Sequence, residues 1–186
     1  MKYNPKIHRR KSIRLKDYDY SKKGMYFITI CTENRECILG NIEEIDSIAN
    51  QDEMPIQMKL NNIGGMIDNI YLELENQIKN IKIHDYVIMP NHLHGIIEIY
   101  NSGAKEARAD MESAPTLNEI IQIFKRYTTV EYIKGVKRGE YKPFYKRIWQ
   151  RNYYEHIIRN EKELHAIIEY IKYNPLNWTN DSNYKE

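Results

Sequence analysis

The chain has 186 residues, with 41% apolar and 29% charged side chains and a net charge of +2. Those values fit one globular domain and exclude a wholly disordered chain. No apolar run approaches the roughly 18 residues that span a bilayer, and the basic N-terminus lacks the apolar stretch of a secretory signal.

The elements follow in chain order. Residues 1–16 carry Lys2, Lys6, Arg9, Arg10, Lys11, Arg14 and Lys16 and no acid. Either a solvated arm or a polyanion clamp accounts for that charge. Residues 25–32 (MYFITICT) are β-branched and aromatic and predict a strand, with 38–44 as its hairpin partner. Cys31 and Cys37 have no metal-type spacing and read as reduced thiols of a cytosolic protein. The stretch 43–53 holds five acids and no base. Ile63, Ile67, Ile70, Leu74 and Ile78 have helical spacing and predict a first long helix over 63–78. Residues 81–89 and 92–100 predict two strands, antiparallel because only Pro90-Asn91 separates them.

Residues 101–115 are small, polar and aperiodic, and predict a loop. A second helix starts at Thr116, with a bend expected at Thr128-Thr129. Residues 134–151 hold seven Lys/Arg and one acid. The aromatic content of 144–158 predicts a strand. A last helix begins at an Asn160 N-cap with Glu163 three residues on. It carries the stripe Leu164, Ile167, Ile168 and Ile171, and Pro175 ends it. Strands and helices in this order predict an α+β fold, an antiparallel or mixed sheet covered by helices.

Two clusters can do chemistry. His92 and His94 sit at i and i+2 on a predicted strand, so both imidazoles share a face and can meet one cation. The bland alternative is two histidines on a half-exposed strand. Tyr170 and Asn174 are four apart on the last helix and lie on one side beside the apolar stripe, whereas Tyr173 points away from the core. A packing tyrosine with a wet hydroxyl is the alternative there. His84 reads as structural, and His8, His156 and His165 as arm or surface residues. Tyr153 and Tyr154 suit either base stacking or packing, and Glu98 and Tyr100 carry no assigned role.

An ordered set of stretches resembles the REP-associated tyrosine transposases, within the single-tyrosine HUH superfamily. They are Arg10–Leu15, Tyr26–Ile30, Ile88–His94, Trp149-Gln150 and Glu169–Pro175, and they run over about residues 9 to 177. The resemblance implies a ferredoxin-like (RRM-like) antiparallel sheet covered by helices, of the HUH endonuclease type. It divides the chain into a basic arm (1–20), one transposase domain (21–178) and a short tail (179–186). It makes Tyr170 the nucleophile and His92, His94 and Asn174 the ligands of Mg²⁺ or Mn²⁺. The expected reaction is cutting and rejoining of single-stranded DNA near hairpin repeats through a 5′-phosphotyrosine. The alternative is a domesticated hairpin-binding protein without catalysis. A weaker rival is a metal-dependent phosphohydrolase in which Tyr170 only packs. Arg9, Arg10, Lys11, Arg14, Lys125, Arg126, Lys146 and Arg147 are the expected DNA contacts. The partners the resemblance implies are single-stranded or hairpin DNA and no membrane, with a cytoplasmic, nucleoid-associated monomer or homodimer expected.

Overall fold

The computed structural model describes residues 23–44, 55–100 and 115–185. The predicted basic arm with Arg9, Arg10, Lys11 and Arg14, and nearly all of the predicted 101–115 loop, lie outside the described residues. Among the described residues there are six strands: β1 (Gly24–Cys31), β2 (Gly40–Glu44), β3 (Ile56–Leu60), β4 (Ile81–Met89), β5 (His92–Ile99) and β6 (Tyr154–Ile158). The α-helices are α1 (Asn62–Leu72), α2 (Leu74–Gln77), α3 (Leu117–Lys137) and α4 (Glu161–Tyr173). Short 3₁₀ turns cover Glu33–Arg35 and Pro175–Asn180.

The main sheet has the order β4-β5-β1-β6, with every neighbouring pair antiparallel. Counting only its own strands, that order is second, third, first, fourth. It is the βαββαβ ferredoxin-like arrangement, with the β2–β3 hairpin inserted after β1. The α+β class expected from the sequence is therefore the class found.

Helices cover both faces, which is why β1 reads as a nearly continuous apolar run. Tyr26, Ile28 and Ile30 of β1 join Leu93 and Ile97 of β5, packed against Ile67 and Tyr71 of α1 and Ile120, Ile121 and Phe124 of α3. On the other face Phe27, Ile96 and Ile158 meet Ile171 of α4, with Leu164, Ile167 and Ile168 around it. The alternation of β5 places His92, His94 and Ile96 on this second face.

Three local expectations are corrected. Residues 38–44 do not pair with β1: after β1 the chain reverses through Asn34 and Arg35, both at positive φ, and β2 pairs with β3 in a separate two-stranded sheet. The first long helix over 63–78 is two helices, interrupted at Glu73. Helix α3 continues past Thr128-Thr129 as expected, and the two hydroxyls bond back to the carbonyls of Phe124 and Lys125. Only 154–158 of the predicted 144–158 strand is one. Lys125 Nζ takes the carbonyls of Gln150, Arg151 and Asn152 at 2.8, 3.4 and 3.2 Å, so those groups are spent on a side chain and not on a ladder. Trp149 makes a single bridge to Thr32 and donates its indole N–H to Thr128.

Candidate active site and metal centre

The site forms where the β4–β5 turn, α4 and the C-terminal segment meet. The turn at Pro90-Asn91 is tied down by its neighbours: Asn91 O accepts from Thr32 N at 2.9 Å, and Pro90 O from Leu39 N at 3.0 Å. The fixed turn starts β5 at His92, so the i, i+2 spacing sends both imidazoles toward α4.

Both histidines are buried, and their Nε2 atoms lie 2.9 Å apart. His92 Nδ1 is 2.8 Å from Asn91 Oδ1, and His94 Nδ1 is 2.8 Å from Thr29 Oγ1. Burial pushes both imidazoles down, His92 to about 3 with the neighbouring His94 adding to the effect. Both are therefore neutral at pH 7, the form in which imidazole ligates a metal.

Helix α4 delivers the phenol. Asn160 caps it by accepting from Glu163 N at 2.9 Å, and Ile171 anchors it on Phe27 and Ile96. Tyr170 Oη then lies 3.2 Å from His94 Nε2 and 3.3 Å from Asp181 Oδ2. Its ring meets Phe27 edge-on, and Phe27 stacks on His94. Tyr170 is 45% exposed and Tyr173 is 43% exposed, so exposure does not separate them; among the described contacts only Tyr170 reaches the histidines. Asn174, 2% exposed, sits at the end of α4, and its Nδ2 donates to Asp181 Oδ2 at 3.1 Å. Its Oδ1 is buried and has no hydrogen-bond partner.

Asp181 was not among the residues singled out from the sequence. It lies in the stretch read as a tail, which folds back over the site after the Pro175–Asn180 turn. Arg35 donates to Ser182 O at 3.0 Å, Asn91 Nδ2 to Asn183 O at 2.9 Å, and Lys185 Nζ to Asn34 O at 3.1 Å. The Asp181 side chain is 2% exposed, and its Oδ2 is 3.8 Å from His94 Nε2, an electrostatic contact too long for a hydrogen bond. Burial pushes this carboxyl up, but His94, the Asn183 amide and the Asn174 amide outweigh it and hold it below the usual carboxylate range. The same carboxylate works against ionisation of Tyr170: burial, then the Asp181 charge and hydrogen bond, push the phenol up to about 12.

The donor set fits a divalent cation. One ligand atom each of His92, His94 and Asp181 lies within 4.8 Å of the others, and these three residues could hold a metal ion. The orphaned Asn174 Oδ1 is a buried acceptor next to them. Imidazole nitrogens, a carboxylate and an amide oxygen form an open N/O set.

The other expected contacts fall elsewhere. Arg126 is exposed and lies over the Tyr127 ring. Lys146 is exposed beside Tyr145, and Arg147 Nε pairs with Glu33 at 3.0 Å. Lys125 is half-buried and faces the three carbonyls that it holds, and burial pushes its ammonium down to about 8. His84, read as structural, pairs with Glu98 at 2.8 Å, which gives Glu98 a partner; His156 pairs with Glu163 at 2.6 Å.

Fold and site together define a ferredoxin-like α+β protein with a histidine-pair, carboxylate and tyrosine centre. The chain is 38% identical over 193 residues to an uncharacterized protein of Haemophilus influenzae, covering 98% of this chain and 97% of that one, and it belongs to the same family. No family model matches. Among solved structures it is similar to a REP-associated tyrosine transposase bound to a REP hairpin, with 21% identity, coverage of 89% and 74% of the two chains, and a TM-score of 0.46. It is also similar to a transposase candidate of Deinococcus radiodurans, with 12% identity, coverage of 87% and 96%, and a TM-score of 0.41.

Proposed function

We propose that this protein cuts and rejoins single-stranded DNA beside hairpins, with Tyr170 as nucleophile and a divalent cation held by His92, His94, Asp181 and Asn174. The observation that carries the reading is the approach of the Tyr170 hydroxyl to His94 Nε2, at 3.2 Å, inside a group able to hold a metal. A structural tyrosine has no need of that company.

In the forward step Tyr170 Oη forms a bond to phosphorus and the P–O3′ bond breaks. The electron pair leaves on O3′, which takes a proton and becomes a free 3′-hydroxyl. The phenolic proton passes to water and O3′ takes its proton from water, while the Asp181 carboxylate, held below the usual range, accepts a hydrogen bond from the hydroxyl at 3.3 Å and orients it. The 5′-phosphotyrosine retains the bond energy of the phosphodiester, so another 3′-hydroxyl reseals the strand without ATP. A bound Mg²⁺ or Mn²⁺ supplies charge neutralisation at the phosphate and favours the phenolate. The protein's own part is to align Tyr170 on α4 and to keep both histidines neutral. Phosphate contacts come from Arg126, Lys146 and Arg147 and from the arm with Arg9, Arg10, Lys11 and Arg14. Lys125 contributes through the 150–152 loop that it holds.

The second reading is a hairpin-binding protein with little turnover. One feature favours it: burial, and after it the Asp181 charge and hydrogen bond, push the Tyr170 phenol up, against its use as a nucleophile. Incubation with a library of single-stranded hairpins and Mn²⁺ separates the two. A covalent protein–DNA adduct supports the enzyme; tight binding without adduct supports the binding protein; cutting without adduct supports a phosphohydrolase.

A further inference from the structure

The Asn91 side chain is fully buried and touches three chain segments. Its Nδ2 donates to Arg35 O at 3.1 Å and to Asn183 O at 2.9 Å. Both partners are carbonyls, so the amide nitrogen must face them, and the Asn91 oxygen has to face His92. An amide oxygen only accepts. The 2.8 Å contact therefore requires the proton of His92 on Nδ1, which leaves the lone pair on Nε2.

The consequence passes to His94. Its Nε2 is 2.9 Å from His92 Nε2, and two lone pairs at that separation repel. With the two rings so placed His94 must be the donor, with its proton on Nε2. Its Nδ1 accepts from Thr29, whose Oγ1 is 2.8 Å away. A threonine hydroxyl can donate or accept, whereas the Asn91 oxygen cannot switch. To ligate through Nε2, His94 gives that proton to solvent and takes one from solvent at Nδ1. The count of protons is unchanged, and Thr29 turns from donor to acceptor.

We propose that Asn91 is a positioning residue that locks His92 with a free Nε2 lone pair, and that Thr29 makes His94 the convertible partner. One histidine is thus preset for a cation, and the other donates to its lone pair. Because Asn91 also holds Asn183, the same side chain ties the segment that carries Asp181 to the histidine pair. The inference rests on the proposed metal centre but not on DNA cleavage.

The test is long-range ¹H–¹⁵N NMR of the full chain, labelled at histidine, with Zn²⁺ as a diamagnetic probe. Metal-free wild type should show His92 protonated at Nδ1 and His94 at Nε2; Zn²⁺ should move only the His94 proton. Asn91→Ala should mix the His92 tautomers and weaken Zn²⁺ binding about 10–100-fold, the range seen for such supporting partners. Thr29→Val should weaken Zn²⁺ with the His92 pattern intact, and Thr29→Ser should restore it. His92 protonated at Nε2 in the wild type overturns the proposal, and so does an unchanged His94 on Zn²⁺ addition. The wild-type spectra decide even where Asn91→Ala does not fold. A correct tautomer pattern without any DNA adduct sinks the cleavage reading alone; an adduct with the wrong pattern sinks this inference alone.

Discussion

At the scale of single residues, the site depends on one carboxylate that serves two neighbours. Asp181 sits 3.3 Å from the Tyr170 hydroxyl and 3.8 Å from His94. Burial first, and then this carboxylate's charge and hydrogen bond, push the Tyr170 phenol up to about 12. Asp181→Asn should therefore move the Tyr170 ring titration to lower pH, followed by NMR of ¹³Cζ-labelled tyrosine. An unmoved Tyr170 titration would show that the carboxylate does not govern the phenol. Tyr170→Phe should change stability by less than about 1 kcal/mol, because it deletes only long hydrogen bonds at a half-exposed ring. Tyr173→Phe should leave any adduct chemistry unchanged. The histidine pair and the tyrosine were legible in the sequence because the two-residue strand period and the helical period fix them locally. Asp181 was not, because a chain reversal and bonds to Arg35, Asn91 and Asn34 bring it there, and no local period encodes those.

At the scale of elements, α4 is the lever that aims the phenol. Its amino end is held by Asn160, and Glu163 accepts from Arg159 N and pairs with His156. Asn160→Ala should cost about 1 kcal/mol, as N-cap losses do, read by chemical denaturation. The Arg159 amide and His156 hold the Glu163 carboxyl below the usual range. A carboxyl with a depressed folded value contributes stability that is full above about pH 4.3 and is lost as pH falls. Glu163→Gln should accordingly flatten the acid limb of the melting temperature between about pH 5 and 3; an identical acid limb would remove Glu163 from the account. The element most misread in the sequence, 144–153, shows why. Its aromatic residues have strand propensity, but tertiary bonds from Lys125 and Trp149 claim the backbone and pack the ring. The 38–44 strand was found but given the wrong partner, since positive φ at Asn34 and Arg35 redirects the chain.

At the scale of the whole molecule, the ferredoxin-like sheet has one face for stability and one for chemistry. The α1/α3 face holds most of the buried apolar residues. The α4 face has the small Phe27–Ile96–Ile158–Ile171 cluster and the polar centre beside it. Of that division the sequence showed the shared face of His92 and His94, because the two-residue strand period fixes it. Deletion of residues 1–16 removes seven positive charges and should weaken hairpin binding and flatten its salt dependence; an unchanged slope would detach the arm from phosphate. The central claim is that Tyr170 attacks DNA. Its most direct test is mass spectrometry of peptides from the protein incubated with single-stranded hairpin DNA and Mn²⁺. The account predicts a nucleotide joined through a 5′-phosphate to Tyr170, lost in Tyr170→Phe and in His92→Ala; an adduct on any other residue, or cleaved DNA with Tyr170 unmodified, would contradict it.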